Sequence, residues 1–147
     1  MNLRELEREL KKDGEVVVYK LQEWAEKRGD SPFFYYGEED QRFSYKKFNQ
    51  LTNSIAHRLK SMGVEKGDRI SLFWKNSLVN TLAMFGIWKV GAVFCPINFN
   101  FKGRLLSYQI NDTRPKLLFT EQDMIPLIND IKSDIPDLPL VLYKQAG

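Results

Sequence analysis

The sequence predicts an α/β fold: a parallel sheet of three to four strands with helices on both faces, plus a small N-terminal hairpin. The first observation is a short apolar run at residues 70–74, a longer apolar segment at 78–90 and a second short run at 93–95. Two more short apolar runs follow, at 116–119 and 140–143, each after a connection long enough for a helix. Such strands pair in parallel, because the connecting helix must carry the chain back across the sheet.

The connection between the first two strands is predicted to be a buried helix. Apolar residues fall on nearly every face of residues 78–90, which is typical of a helix that is covered all round. Asn76 or Ser77 is the expected N-cap, and Gly91 is expected to end the helix.

Upstream of the sheet, the periodicity predicts two helices and the hairpin. Residues 1–12 carry alternating charges with leucines on one stripe, which is typical of a solvated helix. Residues 17–28 show a second helical spacing that stops at Gly29. Apolar residues 33–36 and 42–43 flank an acidic turn, so they are expected to pair as the hairpin.

Residues that start or stop helices place the remaining elements. Ser44 is the expected cap of a long helix that ends at Gly63, and residues 102–111 form a short amphipathic helix. Asp123 is the expected cap of the last helix, because Pro126 then falls in its first turn, where proline is tolerated.

The composition is that of one globular domain. The chain has 147 residues, of which 43% are hydrophobic, and its net charge of +3 comes from 22 basic and 19 acidic residues that are interspersed. No basic block predicts a nucleic-acid partner. No apolar run approaches the roughly 20 residues of a transmembrane segment, and the N-terminus has no apolar signal core. We therefore expect a cytoplasmic location.

Few residues could carry chemistry. The single cysteine, Cys95, lies in an apolar strand and is predicted to be a core residue. The single histidine, His57, falls between the apolar positions of its helix and is predicted to face water. No glycine-rich phosphate motif, carboxylate pair, metal-ligand cluster or nucleophile with a base can be identified. We therefore predict no catalytic residue and no metal site in this chain.

A dispersed set of motifs nevertheless points to a family. The set comprises Phe43-Ser44-Tyr45, Ala56, Leu59, Gly63-Val64, Gly67-Asp68-Arg69-Ile70, Asn76-Ser77, Gly86, Gly91-Ala92, Pro96-Ile97-Asn98, Leu106, Ile110-Asn111-Asp112 and Lys116-Leu117-Leu118-Phe119-Thr120. In order and spacing it resembles the N-terminal portion of the AMP-forming acyl-CoA synthetases of the adenylate-forming superfamily. Among these, fatty-acyl and carnitine/crotonobetaine-type ligases are the nearest.

The resemblance implies that residues 1–147 are the N-terminal part of the large domain of a longer ligase, without the rest of that domain or the C-terminal domain. The longer enzyme would convert a small-molecule carboxylate, ATP and CoA, with Mg²⁺, into acyl-CoA, AMP and pyrophosphate. The phosphate loop and catalytic lysine of the family follow the matched region. We therefore expect this chain alone to be inactive and to hold none of these cofactors tightly.

The resemblance implies one local site and one departure. The loop of Asn98, Phe99 and Asn100 corresponds to a stretch that lies beside CoA in some relatives, although the residues themselves favour a polar loop that leads into the next helix. Many members have a Pro-Glu pair after the Asn-Ser motif, whereas this chain has Leu78-Val79. Any role of that glutamate is therefore absent here.

A second class of function stays open: a naturally short, non-catalytic module that keeps the fold and binds a protein partner. The reading frame discriminates the two classes. Continuation into a phosphate loop supports the ligase, and a stop codon near Gly147 supports the module. Neither the acyl substrate nor the oligomeric state is predicted by these residues.

Overall fold

The computed structural model describes residues 16–75, 77–137 and 139–144, together with Glu5. The chain divides into two compact units, residues 1–54 and 55–147. The elements are α1 (Val17–Lys27), β1 (Pro32–Tyr36), β2 (Gln41–Ser44), α2 (Tyr45–Ser61), β3 (Arg69–Phe73), α3 (Leu78–Lys89), β4 (Val93–Ile97), α4 (Gly103–Thr113), β5 (Leu117–Glu121), α5 (Ile125–Asp130) and β6 (Leu140–Lys144). The predicted helix at residues 1–12, apart from residue 5, and the Asn76 cap lie outside the described residues.

The first unit contains the predicted hairpin. Strands β1 and β2 pair antiparallel, with Phe34 opposite Phe43. Aromatic rings of the hairpin pack around Phe48 of α2, which is fully buried. The Ser44 hydroxyl accepts a hydrogen bond from the Lys47 backbone N–H at 3.2 Å, which confirms the predicted cap of α2.

The second unit is built on a four-stranded sheet in the order β4-β3-β5-β6. All three strand pairs are parallel. In the central strand β3, Leu72 lies between Pro96 of β4 and Phe119 of β5. The α/β fold class and the four parallel strands are therefore confirmed.

Each face of this sheet carries its own apolar core. On one face, Leu59 of α2 and Ile87 of α3 pack with Leu72 of β3. On the other face, Leu106 of α4 and Ile128 of α5 belong to a second cluster. Helices thus lie on both faces, as predicted from the connections between the strands.

The prediction that the helix at 78–90 is largely buried is wrong for most of its length. Within α3, only Phe85, Gly86 and Ile87 are buried, while Val79 is 37% exposed and Trp88 is 36% exposed. The sheet and α2 cover one side of the helix, so an apolar sequence all round does not produce burial all round. Ser77 occupies the N-cap position, but its hydroxyl makes no capping hydrogen bond.

Asp123 is not the cap of the last helix, which corrects a second prediction. A short 3₁₀ turn, Gln122–Met124, precedes α5, and the N-cap residue is Met124. The Asp123 carboxylate instead pairs with the ammonium group of Lys75. Pro126 does lie in the first turn of α5, as predicted.

The two candidate chemical residues differ in their environment. His57 is exposed on α2, as predicted. Cys95 is only half-buried, because β4 is an edge strand of the sheet, so the prediction of a core position is wrong. Desolvation by its neighbours raises the pKa of the Cys95 thiol, which disfavours the reactive thiolate.

A charged network fixes the turn that leads into β3. The Asp68 carboxylate accepts hydrogen bonds from the Glu65 backbone N–H at 2.8 Å and from the Lys116 ammonium at 2.7 Å. The same ammonium donates to the Gly63 carbonyl at 2.6 Å. Lys116 directly precedes β5, so its ammonium links the start of β5 to the turn that leads into the central strand β3.

We expect Ile87→Ala to destabilise the protein far more than Val79→Ala, although both residues lie on α3. Ile87 is 1% exposed within an apolar core, so its truncation leaves a cavity and should cost about 2–5 kcal/mol. Val79 is 37% exposed, so its truncation should stay within about 0.5 kcal/mol. Urea unfolding monitored by circular dichroism measures both. Equal losses would show that the two sides of α3 are equally buried.

We expect Lys116→Met to raise the pKa of Asp68. The Lys116 ammonium is the main cause that holds the pKa of this carboxyl below its ordinary value, with the Glu65 N–H second. A carboxyl with a lowered folded-state pKa stabilises the fold above its unfolded pKa and loses that contribution as the pH falls through the folded value. Carbon-detected NMR titration of the Asp68 carboxyl measures the shift. An unchanged pKa in the variant would contradict the pairing.

Candidate functional site

A cleft opens at the edge of the sheet where β3 and β4 end. Trp74 directly follows β3, and Asn98 directly follows β4. The carboxyl edge of a parallel sheet is the usual place for ligands in α/β folds. The cleft has a volume of about 430 Å³, and its walls are Leu72, Trp74, Asn80, Phe94, Pro96, Ile97, Asn98, Phe99 and Asn100.

The three residues predicted as a cofactor-binding loop form one wall of this cleft. The Asn98 carbonyl accepts the Phe101 N–H at 2.9 Å, and the Asn98 side-chain oxygen accepts the Asn100 N–H at 3.0 Å. Asn98 thus closes the loop on itself. The side chains of Asn98 and Asn100 are exposed and Phe99 is half-buried, so the loop presents amides and one aromatic ring.

Lys75 directly follows Trp74, which is one of the residues in the cleft walls. Its backbone N–H donates to the Glu121 carboxylate at 2.8 Å, and its ammonium pairs with Asp123. The Asp123 hydrogen bond is the main reason why the pKa of Lys75 is raised, and the Lys75 hydrogen bond is the main reason why that of Asp123 is lowered. These contacts tie the segment after β3, which includes Trp74, to the last residue of β5 and to the turn that follows it.

Sequence reasoning missed Asn80, which reaches the cleft from the first turn of α3. Its side-chain nitrogen donates to the Lys75 carbonyl at 3.1 Å. Its side-chain oxygen is buried and has no hydrogen-bond partner among the described residues. The available signal was an amide residue in the first turn of a helix that is otherwise nearly all apolar, just after a predicted strand.

The cleft is polar but uncharged. None of the nine residues in its walls carries a formal charge. Among the described residues, no three His, Cys, Asp or Glu side chains converge as a metal centre would require. The cleft therefore suits a neutral group with hydrogen-bonding capacity better than a bare phosphate or a cation.

An apolar groove of about 310 Å³ lies beside α3 and shares Leu72 and Trp74 with the cleft. Its walls are Ile55, Leu59, Leu72, Trp74, Val79, Ala83, Ile87, Phe119, Leu142 and Tyr143. These side chains offer almost no hydrogen-bonding group, so the groove lacks the means to orient a polar ligand.

In the part of the chain that the structure describes, no helix combines the length and apolarity that a bilayer crossing needs.

Residues 21–146 match the family described as AMP-binding enzyme. Over 108 residues the chain is 29% identical to the medium/long-chain-fatty-acid–CoA/3-oxocholest-4-en-26-oate–CoA ligase of Mycobacterium marinum. The aligned region is 74% of this chain and 20% of the relative. Over 93 residues it is 31% identical to the crotonobetaine/carnitine–CoA ligase of Salmonella typhimurium. This aligned region is 63% of this chain and 18% of the relative.

Solved structures show the same fold. The N-terminal domain of FACL13 from Mycobacterium tuberculosis superposes with a TM-score of 0.78 at 26% identity, over 88% of this chain and 33% of that one. A fatty acyl CoA synthetase from the same organism gives a TM-score of 0.78 at 24% identity, over 87% of this chain and 26% of that one. This chain thus spans about a fifth of the two curated ligases and a third or less of these structures.

Proposed function

Because this chain belongs to the AMP-binding enzyme family, we propose that residues 1–147 form the N-terminal part of the large domain of an AMP-forming acid–thiol ligase. The whole enzyme would activate a small-molecule carboxylate with ATP as an acyl-adenylate and transfer the acyl group to CoA. Similarity to the fatty-acyl and the crotonobetaine/carnitine ligases favours a fatty-acyl or carnitine-type carboxylate. A cytoplasmic location stays a prediction.

The role of this chain in that reaction is contact with CoA. The observation that supports it is the cleft at the carboxyl edge of the sheet, whose walls include Asn98, Phe99, Asn100 and Trp74. Two exposed cations, Lys102 and Arg104, follow this loop in the chain. CoA carries phosphates at one end of a neutral arm, so a neutral cleft followed by cations complements its distribution of charge.

We expect ATP and Mg²⁺ to be bound outside the described residues. A nucleotide phosphate needs several convergent backbone N–H groups, usually with a lysine or a metal. Among the described residues, no three His, Cys, Asp or Glu side chains converge on a possible metal position. We therefore assign ATP, Mg²⁺ and the chemical steps to other parts of the proposed ligase.

Titration of the ¹⁵N-labelled chain with CoA at physiological salt tests this proposal. We expect amide shifts to concentrate at Asn98, Phe99 and Asn100 and at the indole N–H of Trp74. Phe99→Ala should weaken the apparent affinity about five-fold, because it removes the aromatic wall of the loop.

The matched control is Tyr108→Ala, which removes an aromatic side chain that is 68% exposed on α4 and lies outside the cleft walls. This variant should bind CoA as the unaltered chain does. Shifts scattered over the basic surface, or equal losses in both variants, would indicate non-specific attraction and contradict a CoA site at the cleft.

A further inference from the structure

An apolar surface extends from the groove beside α3 to the outer strand of the sheet. The groove walls include Val79 of α3, Phe119 of β5, and Leu142 and Tyr143 of β6. Among the described strands, β6 pairs only with β5, so it is an edge strand. Leu140 of this strand is 58% exposed, and Tyr143 is 51% exposed. We call these five residues the edge surface.

The edge surface lacks the features that normally protect an edge strand. Exposed edges usually carry charged side chains, prolines or bulges that prevent another segment from pairing with them. Residues 140–143 contain neither a charge nor a proline. A contiguous apolar surface of this kind marks an interaction site, or an aggregation site if it stays uncovered. We therefore expect this surface to be covered in the functional protein.

The chemistry of the groove defines what can cover it. Its walls offer almost no hydrogen-bonding group, so a polar or charged segment would lose its hydration there without compensation. Apolar side chains instead gain free energy when they leave water. The groove therefore suits an apolar stretch of polypeptide.

The position of β6 in the chain indicates where that polypeptide comes from. β6 ends at Lys144, directly after the groove residues Leu142 and Tyr143. In the proposed longer ligase, the polypeptide that follows therefore starts beside the groove. The aligned region is only about a fifth of the two curated relatives, so a ligase of that length has ample chain to cover it. Such a tethered segment has a high effective concentration and outcompetes separate partners.

We propose that the edge surface is an internal interface of the longer ligase, in which apolar side chains from the polypeptide after residue 147 fill the groove and cover β6. The inference rests on the proposed function, since the occupant belongs to the rest of the proposed enzyme. It adds the face on which this N-terminal part joins that remainder.

Val79 gives this interface its apolar character. It stands in the groove wall, at the position where the resemblance places a glutamate in many members of the family. A carboxylate there would put a charge into the wall of the groove. The remainder of this ligase is therefore expected to contribute an apolar contact at Val79 rather than a partner for a carboxylate.

Hydrogen–deuterium exchange tests the inference without any substitution. Mass spectrometry compares the 147-residue chain with the longer ligase expressed from its complete reading frame. Amide exchange over residues 140–143 should be at least about ten-fold slower in the longer ligase, because covering the edge strand suppresses its local opening. Equal exchange in the two proteins would overturn the inference.

Val79→Glu tests the apolar contact, and Leu105→Glu is its matched control. Each residue lies in the first turn of a helix, and Leu105 is 60% exposed on α4 and outside the groove walls. In the 147-residue chain, both variants should melt within about 2 °C of the unaltered protein, because neither buries the new charge. In the longer ligase, Val79→Glu should lower the melting temperature by roughly 5 °C or more, because it buries an unpaired carboxylate. A loss no larger than that of Leu105→Glu would contradict the interface.

The outcomes separate the inference from the function on which it rests. If the reading frame continues but residues 140–143 exchange equally fast in both proteins, the interface is wrong and the proposed ligase stands. If β6 is protected but CoA does not perturb the cleft, the CoA contact is wrong and the interface stands. A reading frame that stops after Gly147 contradicts the proposed ligase, and the inference fails with it.

Discussion

The parallel pairing of β3 with both β4 and β5 is the constraint on which the second unit depends. Four of the five residues of β3 are buried, and its backbone bonds to a strand on either side. Parallel neighbours require each connection to cross a face of the sheet, which places α3 on one face and α4 on the other. The same pairing aligns the carboxyl ends of three strands, so the loops that follow them meet at one edge.

At that edge, side-chain contacts hold the loops in place, while one buried side-chain oxygen lacks a hydrogen-bond partner among the described residues. Lys75 joins the segment after β3 to Glu121 and Asp123, and Asn98 closes the loop after β4. Asn80 is another residue in the cleft walls, and its side-chain oxygen is buried and finds no donor among the described residues. Natural proteins satisfy nearly all buried polar groups. A buried oxygen without a donor is therefore a stronger indication of a functional site than an exposed polar loop is.

Local signals predicted most of the fold, because apolar periodicity and helix-ending residues can be recognised in the sequence itself. They predicted the strands, the hairpin, the Ser44 cap and the positions of most helices. The extent of burial did not follow: α3 is apolar on nearly every face, yet Val79 and Trp88 are exposed. Burial depends on which elements lie on each side of a helix, and that is not a local property. Asn80 was missed for a related reason, since its significance appears only when the Lys75 carbonyl fixes the direction of its amide.

A crystal structure of this chain soaked with CoA tests the central claim most directly. We expect density for the neutral arm of CoA in the cleft whose walls include Trp74 and Phe99. We also expect the phosphates to lie outside the cleft, towards Lys102. Density that places the phosphates inside the cleft, or the arm on another surface of the chain, would contradict the account.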